Sequence, residues 1–251
     1  MKKAILITVR TGSTRLPQKA LLEINGKSTI VHLINRLKQS KLANDIILFT
    51  TTLKEDNVLE DIAIANGINY YRGSVTDKLE RWKGACEKYN IESFVTADGD
   101  DLFCDPSLID LAFEQLESTN VDFIKCDNII CGAFTHGIRY SMLKKVCEYK
   151  GTDETEMHWV YFENIDGCVI KQLNGVPKKY FREDIRMTLD YEEDFQFFST
   201  IINHFNQNKF GLDEIIYYIE QNPKVAKINI HLKDLWKLNQ ENKTKLILKN
   251  E

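Results

Sequence analysis

The sequence predicts an α/β fold, a doubly wound and mostly parallel sheet with helices on both faces. Short apolar runs alternate with amphipathic helical segments as far as residue 125, and polar loops follow the runs. With 251 residues, the chain is long enough to build one large core without disulfide or metal staples.

Five strands are predicted in this first half of the chain. An unbroken apolar run such as residues 4–9 is typical of a strand that is buried on both faces of a parallel sheet. The five predicted strands are residues 4–9, 46–50, 69–71, 93–97 and 121–125.

Amphipathic helices separate these strands. Leu33 and Leu37 belong to an apolar stripe at helical spacing, Gly67 is a typical helix end, and Asp105-Pro106 is a typical helix start. The predicted helices are residues 28–40, 56–66 and 76–89, with a fourth that begins at residue 105.

The pattern is looser after residue 125. Strands are predicted at residues 133–140, 168–172 and 185–189, and helices at 141–148, 191–206 and 212–221, followed by a Lys-rich helical tail. We expect one main domain at residues 1–206, which includes a small inserted region, and a helical C-terminal appendage at residues 207–251.

Composition narrows the class of protein. The net charge of −4 argues against a general affinity for nucleic acid or for an anionic membrane. The six cysteines form no Cys-x-x-Cys pair, and the first apolar run is too short for a signal peptide or a membrane span. We therefore expect a cytoplasmic protein with reduced thiols.

The first loop, residues 10–19, has the composition of a polyphosphate site. Arg10, Arg15 and Lys19 supply positive charge, while Gly12 lets backbone N–H groups approach an anion and Ser13 adds a hydroxyl donor. The loop is neither a P-loop nor a Gly-x-Gly-x-x-Gly turn, and by composition alone it could also be a solvated basic turn.

Position in the fold supports the first interpretation. Ligands of doubly wound sheets bind beyond the carboxyl ends of the strands, and the first loop follows the first predicted strand directly. The same rule selects four candidate loops, at residues 10–19, 51–56, 72–81 and 98–105.

The segment from Val9 to Lys27 resembles the signature of the cytidylyltransferase superfamily, with the motif Arg-x-x-Ser-Thr-Arg-Leu-Pro-x-Lys. It is most similar to deoxy-manno-octulosonate cytidylyltransferases and spore-coat polysaccharide cytidylyltransferase-like proteins, and less to acylneuraminate cytidylyltransferases. Gln18 stands where these relatives commonly have glycine. The resemblance implies a nucleotide-diphospho-sugar transferase-like fold and CTP as a substrate. It also implies that Arg10, Arg15 and Lys19 bind the CTP triphosphate, and we assign Gly12 and Ser13 to the same nucleotide site.

The stretch from Tyr71 to Arg81 resembles the Arg-Gly-Ser-x-x-Asp-x-Leu-x-Arg segment of the spore-coat group. The resemblance implies that Arg72 and Ser74 lie near the nucleoside. A turn at Gly73 that caps the next helix is the purely structural alternative.

Carboxylates follow the strand at residues 93–97, where they can coordinate Mg²⁺ beside phosphates. The family pattern Gly-Asp…Asp-Pro matches Gly99-Asp100 and Asp105-Pro106, which implies Asp100 as a metal ligand. Asp105 is better explained as a helix N-cap, and Asp98 is assigned to the nucleotide site. Relatives usually have proline in place of Leu102.

A second metal ligand is implied at Asp190. Residues 186–195 resemble a family strand that ends in Asp-Thr-Pro-Glu-Asp, although Tyr191-Glu192 replaces Thr-Pro here. The structural alternative makes Asp190 a helix N-cap with Glu193 as its capping-box partner.

The acceptor site is the part of the protein that the sequence predicts least clearly. His136, Arg139, His158 and Arg186 fall where the relatives place acceptor contacts. Arginine suits a carboxylate or phosphate, and histidine can donate a hydrogen bond to either, although a lone histidine is often only structural.

These residues predict an Mg²⁺-dependent transfer of a cytidylyl group from CTP to a small acidic or phosphorylated acceptor, with release of pyrophosphate. Arg10, Lys19 and Asp100 are the expected catalytic residues, surface-polysaccharide assembly is the expected setting, and family resemblance implies a homodimer with a contact region within residues 126–182. Two alternatives stay open. One is a glycosyltransferase of similar fold that uses Asp98-Gly-Asp100 as an Asp-x-Asp motif, and the other is a non-catalytic nucleotide-binding module.

Overall fold

The computed structural model describes residues 2–206, 209–244 and 246–249. The described residues form nine strands: seven belong to the main sheet, and two form a small hairpin. In chain order they are β1 (Lys3–Thr8), β2 (Glu23–Ile24), β3 (Lys27–Ser28), β4 (Asp45–Thr51), β5 (Asn69–Gly73), β6 (Ser93–Asp98), β7 (Phe123–Lys125), β8 (Gly137–Arg139) and β9 (Ile170–Gln172).

The helices begin and end largely where capping residues predict. Asp77 accepts a hydrogen bond from the backbone N–H of Glu80, and Asp105 accepts one from Ser107 with Pro106 at the first helical position. The helices are α1 (Thr29–Leu37), α2 (Asn57–Ala65), α3 (Lys78–Tyr89), α4 (Pro106–Ser118), α5 (Tyr140–Tyr149), α6 (Trp159–Glu163), α7 (Glu192–Phe205), α8 (Leu212–Gln221) and α9 (Lys233–Lys243).

The central sheet has seven strands in the order β5-β4-β1-β6-β8-β7-β9. The first four run parallel to one another, β8 is antiparallel to β6 and β7, and β9 is parallel to β7. The predicted doubly wound, mostly parallel α/β fold is confirmed. Because β1 lies between β4 and β6, the chain crosses to either side of it, and a ligand cleft is expected beyond its carboxyl end.

Both faces of β1 are buried. Ile5 and Ile7 belong to one hydrophobic cluster, which includes residues of α1, α4 and α7. Ala4 and Leu6 belong to a second cluster, which includes residues of α3, α5 and α6. Alternate residues of a strand point to opposite faces, so the unbroken apolar run reflects burial on both sides.

Three features of the fold differ from the sequence predictions, and one of them is the unpredicted helix α6 (Trp159–Glu163). Residues 185–189 are not a strand, because only Arg186 forms a β-bridge, to Cys131. The hairpin formed by β2 and β3 was not predicted, although Asn25-Gly26 is a typical two-residue hairpin turn and both residues have positive φ, 51° and 70°.

The C-terminal part packs on the main body. Leu212 and Ile215 of α8 are buried in the same cluster as α1 and α7. The proposed domain boundary after residue 206 stays a prediction, since residues 207 and 208 lie outside the described residues. Within the described residues, the helices are all too short or too polar to cross a membrane, and none of the six cysteines forms a disulfide.

Candidate active site

A cleft of about 620 Å³ opens beyond the carboxyl ends of β1 and β6. Three of the four predicted site loops contribute to its lining, as do segments from the second half of the chain. Among the lining residues are Arg10, Gly12, Ser13, Arg15, Lys19, Lys78, Arg81, Asp98, Asp100, His136, Glu156, His158, Trp236 and Lys237. The cleft therefore gathers both cations and carboxylates at the predicted edge of the sheet.

The first loop is held in place by Asp56. Its carboxylate accepts hydrogen bonds from the backbone N–H of Thr11 at 2.8 Å and the hydroxyl of Thr11 at 2.7 Å, and it also binds the hydroxyl of Thr51. Burial raises the pKa of Asp56, but these hydrogen bonds outweigh burial and hold the pKa below its ordinary value. The sequence identified Asp56 only as a helix start, so its positioning role was missed.

Gln18 explains why glycine is common at this position in relatives. Its φ is 52°, in the left-handed region, just before the short 3₁₀ turn Lys19–Leu21. Glycine adopts this conformation at little cost, whereas a residue with a Cβ is strained by roughly 1–2 kcal/mol. The turn is present here although the residue at position 18 is glutamine rather than glycine.

Lys19 joins the two carboxylates that the sequence assigned to the metal. Its Nζ lies 2.6 Å from Oδ2 of Asp100 and 2.8 Å from Oδ1 of Asp190. Arg15 also binds Oδ1 of Asp190. Residues 100 and 190, far apart in sequence, thus meet around one ammonium group.

Backbone contacts bring these two carboxylates together. The N–H of Leu189 donates to the carbonyl of Asp100 at 2.9 Å, so the segment that ends in Asp190 runs beside the loop after β6. Gly99 lets that loop approach β1, since a Cβ at this position would lie 2.6 Å from Cβ of Val9.

The charges of this cluster are strongly coupled. Burial lowers the pKa of the Lys19 ammonium, but Asp100 and Asp190 outweigh burial, so the pKa lies above its ordinary value and Lys19 stays charged. Burial raises the pKa of Asp190, whereas the charge of Lys19 and hydrogen bonds from Lys19 and Arg15 lower it to about 2. Burial also raises the pKa of Asp100, and the charge of Lys19 offsets only part of that rise.

The donor set suits a hard divalent cation. Asp100 and Asp190 each place a carboxylate oxygen within hydrogen-bonding distance of one Nζ atom, so one cation can contact both. No cluster of three or more His, Cys, Asp or Glu side chains in the described ranges could hold a metal. Mg²⁺ is typically held by one or two carboxylates together with substrate phosphates, and two carboxylates beside the basic first loop fit that pattern.

Asp98 lies on the cleft beside a cation that sequence reasoning missed. Lys78, the first residue of α3, donates to Oδ1 of Asp98 at 2.9 Å and is itself almost fully buried. The only sequence signal was its place in the stretch from Tyr71 to Arg81.

His136 and His158 form a pair on the cleft wall. Nε2 of His158 lies 3.1 Å from Nδ1 of His136, and the pair packs against Trp82, Trp159 and Phe123. Burial and the nearby Lys78 charge lower the pKa of His136 to about 3 and that of His158 well below its ordinary value. Both rings are therefore neutral near pH 7, and they can offer hydrogen bonds but no positive charge.

The structure does not bring Arg72 or Ser74 to the cleft lining. The guanidinium of Arg72 donates to the carbonyls of Thr51 and Leu53 and to Asn57, which ties the end of β4 to β5 and α2. The Ser74 hydroxyl accepts a hydrogen bond from the N–H of Asp77. Ser74 thus holds the turn before α3, as in the structural alternative, while Arg72 supports the end of β5. We leave both side chains out of the proposed nucleotide site.

Arg139 and Arg186 also lie behind the cleft lining. Arg139 donates to the carbonyls of Leu116, Thr119 and Val121 and so caps the end of α4. The guanidinium of Arg139 is directed to those carbonyls, so we leave Arg139 out of the proposed acceptor site.

Arg186 is buried and binds Asp190 and Asp194, where it supports the position of Asp190. Asp194 in turn accepts hydrogen bonds from the N–H groups of Asp190 and Tyr191, so Asp194 rather than Glu193 is the capping partner. The N-cap of α7 is Tyr191, which corrects the alternative in which Asp190 was that cap.

Part of the cleft wall comes from the C-terminal segment. Lys233, Trp236, Lys237 and Gln240 of α9 line the cleft. The sequence had assigned this segment to a helical appendage without a role, because nothing in a Lys-rich helix shows which surface it covers.

Comparison with known proteins identifies the family of this chain. Residues 4–235 match the profile of a protein family described as cytidylyltransferase. An uncharacterized protein from Methanocaldococcus jannaschii is 31% identical over 234 residues, which cover 93% of this chain and 96% of that protein.

Two further relatives carry informative names. The spore coat polysaccharide biosynthesis protein SpsF of Bacillus subtilis is 23% identical over 228 residues, which cover 88% of this chain and 95% of that protein. The structure of a cytidylyltransferase from Leptospira borgpetersenii has a TM-score of 0.82 at 28% identity, covering 90% of this chain and 97% of the other.

Proposed function

The chain belongs to the cytidylyltransferase family, and on this premise we propose that it transfers the cytidylyl group of CTP to a small acidic or phosphorylated acceptor and releases pyrophosphate. The observation that carries the proposal is the contact of Lys19 with both Asp100 and Asp190 beside the first loop. Phosphoryl and nucleotidyl transfer depends on cations and metal-binding carboxylates placed around the transferred phosphate, and this cluster offers both.

The first loop is the proposed triphosphate site. Gly12 has open space around its Cα, so the backbone there can approach an anion closely. Arg10 extends from the cleft wall with nearly half of its side chain exposed, while Arg15 and Lys19 lie deeper. Ser13 and Asp98 complete the proposed nucleotide contacts.

The proposed reaction is an in-line displacement at the α-phosphorus of CTP. A bond forms between an acceptor oxygen and this phosphorus as the bond to the bridging oxygen of the β-phosphate breaks, and the electron pair leaves with pyrophosphate. Lys19 and Arg10 stabilise the negative charge that develops on the phosphate oxygens, and the walls of the cleft orient the two substrates. No covalent enzyme intermediate is required.

Asp100 and Asp190 are the proposed ligands of Mg²⁺, which when bound neutralises phosphate charge and polarises the phosphoryl oxygen. Replacing Asp190 by asparagine is expected to raise the Mg²⁺ concentration needed for half-maximal rate, because one anionic ligand is lost. An unchanged Mg²⁺ dependence of the variant would remove Asp190 from the metal site.

His136 and His158 are proposed to face the acceptor as neutral hydrogen-bonding groups. Their low pKa values exclude a role as cations near neutral pH, so any anionic group of the acceptor needs another partner. The name of the Bacillus subtilis relative supports surface-polysaccharide assembly as the setting. We keep a keto-sugar acid and a phosphorylated metabolite as the two acceptor classes.

Pyrophosphate release in the presence of Mg²⁺ tests the proposal. The four nucleoside triphosphates are crossed with a panel of keto-sugar acids, sugar phosphates and small phosphorylated metabolites. We expect release with CTP and one acceptor, and no release when Asp100 is replaced by asparagine. Failure to bind CTP in calorimetry would contradict the proposal. Release of pyrophosphate with a nucleotide other than CTP would change the assigned nucleotide substrate.

A further inference from the structure

Helix α9 contributes four residues to the cleft lining and is anchored beside Asp190. The buried Asn229, which precedes it, donates to the carbonyl of Arg186 at 3.1 Å and to Asp194 at 2.9 Å. Further along, Asn239 donates to the hydroxyl of Tyr191 at 3.0 Å. These contacts fix the helix against the segment that carries Asp190.

The chain is anchored again after α9, on the opposite side. The N–H of Gly151 donates to the carbonyl of Ile247 at 2.7 Å, and the N–H of Lys249 donates to the carbonyl of Tyr149 at 2.9 Å. Residues 149–151 lie at the end of α5 and lead into the segment that carries Glu156 and His158. The C-terminal part of the chain is therefore held at two places, beside Asp190 and at the end of α5.

The side chains of α9 are arranged opposite to what packing would favour. Its cleft-facing residues recur at intervals of three and four, as expected for one face of a helix. By contrast, Leu235 and Leu238 are 47% and 54% exposed. A helix bound only for stability would bury its leucines, whereas both lie in solvent here, as Lys237 does.

Trp236 is linked to Asp190 through Arg186. Its ring packs over the guanidinium of Arg186 at 5.2 Å, and Arg186 binds the carboxylate of Asp190. The position of Trp236 is thereby fixed relative to Asp190, which is a proposed Mg²⁺ ligand. An aromatic ring held in this way offers an apolar platform to the bound molecule.

Arg182, Lys233 and Lys237 are neighbouring cations of the described cleft lining, and of these three Lys237 has no carboxylate partner. Arg182 pairs with Asp184 and Glu220, and Lys233 pairs with Glu183. Among residues 2–206, 209–244 and 246–249, Lys237 forms no ion pair. Trp236 and Lys237 also follow residue 235, where the match to the family ends.

We propose that α9 selects the acceptor: Trp236 packs on the ring of a sugar, and Lys237 pairs with the anionic group of that sugar. This inference rests on the proposed function, since it concerns the second substrate of the same cleft. It gives the anionic group the partner that the neutral histidines cannot supply. The anionic group is a phosphate or a carboxylate.

Calorimetry on the full chain tests this inference. The nucleotide is α,β-methylene-CTP with Mg²⁺, whose P–C–P bridge prevents release of pyrophosphate. Glucose 1-phosphate and N-acetylneuraminate are the two probes and distinguish phosphate from carboxylate. The variants are Lys237→Gln, Trp236→Leu and Trp236→Phe, with Lys224→Gln as the control because Lys224 is exposed and lies outside the cleft lining.

We expect one probe to bind the wild type and to bind at least tenfold more weakly to Lys237→Gln and Trp236→Leu. Trp236→Phe keeps an aromatic face and should bind within about threefold of the wild type, as should Lys224→Gln. The affinity for the nucleotide should not change in any variant.

Two results would overturn the inference while the proposed function stands: equal probe affinity in Lys237→Gln and Lys224→Gln, or nucleotide binding without binding of either probe. Absence of nucleotide binding to the wild type would overturn the proposed function itself, and the inference with it.

Discussion

Among single residues, Lys19 makes the contacts on which the proposed chemistry depends most directly. Its ammonium is buried and charged, and it contacts the two proposed metal ligands. Because the same cation is proposed to neutralise the phosphates, its removal affects the transition state more than substrate binding.

Replacing Lys19 by methionine is therefore expected to lower kcat by about 100-fold or more, the loss typical when one preorganised charge-stabilising group is removed. The measurement is steady-state pyrophosphate release at saturating CTP. Lys27→Met is the matched control, since Lys27 is exposed in the β2–β3 hairpin. A variant that is folded by circular dichroism and keeps kcat within threefold of the wild type would remove Lys19 from catalysis.

The neutral histidine pair makes stability depend on pH. The pKa of His158 in the folded chain lies well below its ordinary value because the ring is buried near Lys78. As the pH falls below about 6.5, the unfolded chain binds this proton first, so unfolding becomes easier.

We expect the wild type to lose about 1 kcal/mol more unfolding free energy than His158→Gln between pH 6.5 and pH 5.5, as linkage predicts for one such group. Urea unfolding at several pH values measures the difference. His231→Gln, which removes an exposed histidine, should follow the wild type. Parallel pH profiles of the wild type and His158→Gln would show that the His158 ring is not buried in neutral form.

Among the elements, the segments Cys131-Gly132 and Arg186-Met187 pair with each other just before Asp190. The N–H of Met187 donates to the carbonyl of Cys131 at 2.9 Å. Gly132 has a φ of 87°, and a Cβ there would lie 1.9 Å from the carbonyl oxygen of Met187. Only glycine permits this approach without movement of the backbone.

Gly132→Ala is expected to destabilise the fold by several kcal/mol, because the left-handed conformation and a backbone clash add together. Gly67→Ala is the control: Gly67 also has positive φ, 63°, but open space around it. The control should lose only roughly 1–2 kcal/mol, the cost of the conformation alone. Urea unfolding compares the two, and equal losses would mean that the Met187 contact is not rigid.

The elements that could be predicted from sequence are those with local signals. The apolar runs of β1, β4 and β6 and the Asp105-Pro106 start of α4 agree with the structure. The segment at residues 185–189 was wrong because its apolar residues are buried by packing against the loop at Cys131 rather than by strand pairing. Local periodicity does not distinguish these two forms of burial.

For the whole molecule, the open edge of the sheet supports the proposed homodimer. β9 is the last strand of the sheet and pairs only with β7 among the described residues. Val169, which directly precedes β9, is 36% exposed, and Phe181 is 43% exposed. Exposed edges with apolar neighbours are typical places for chain association, and both residues fall within the region 126–182.

Sedimentation velocity is expected to show a species of twice the chain mass that Val169→Asp shifts toward monomer, because a charge would then be buried at the interface. Ile64→Asp is the control, since Ile64 is 60% exposed on α2, outside that region. A wild type that stays monomeric at all concentrations would contradict the proposed dimer, and equal effects of the two variants would place the contact elsewhere.

By itself, the sequence determined the fold class, the family and the residues that meet at the centre of the cleft. Buried parallel strands appear as unbroken apolar runs, and a phosphate-binding loop needs its glycine and cations within a few consecutive residues, so both signals are local. The assignment of Asp100 and Asp190 to one cluster came from motif resemblance, and the structure places both beside Lys19.

Only the tertiary structure decided where the other polar side chains point. Arg72 and Arg139 are directed to backbone carbonyls, and the two histidines are neutral. Helix α9 lines the cleft and leaves its two leucines exposed. Each of these outcomes depends on contacts between segments that are distant in the chain. Arginine and histidine are chemically able to play either a structural or a ligand-binding role, and it is long-range packing, not residue type or spacing, that determines which role each one has.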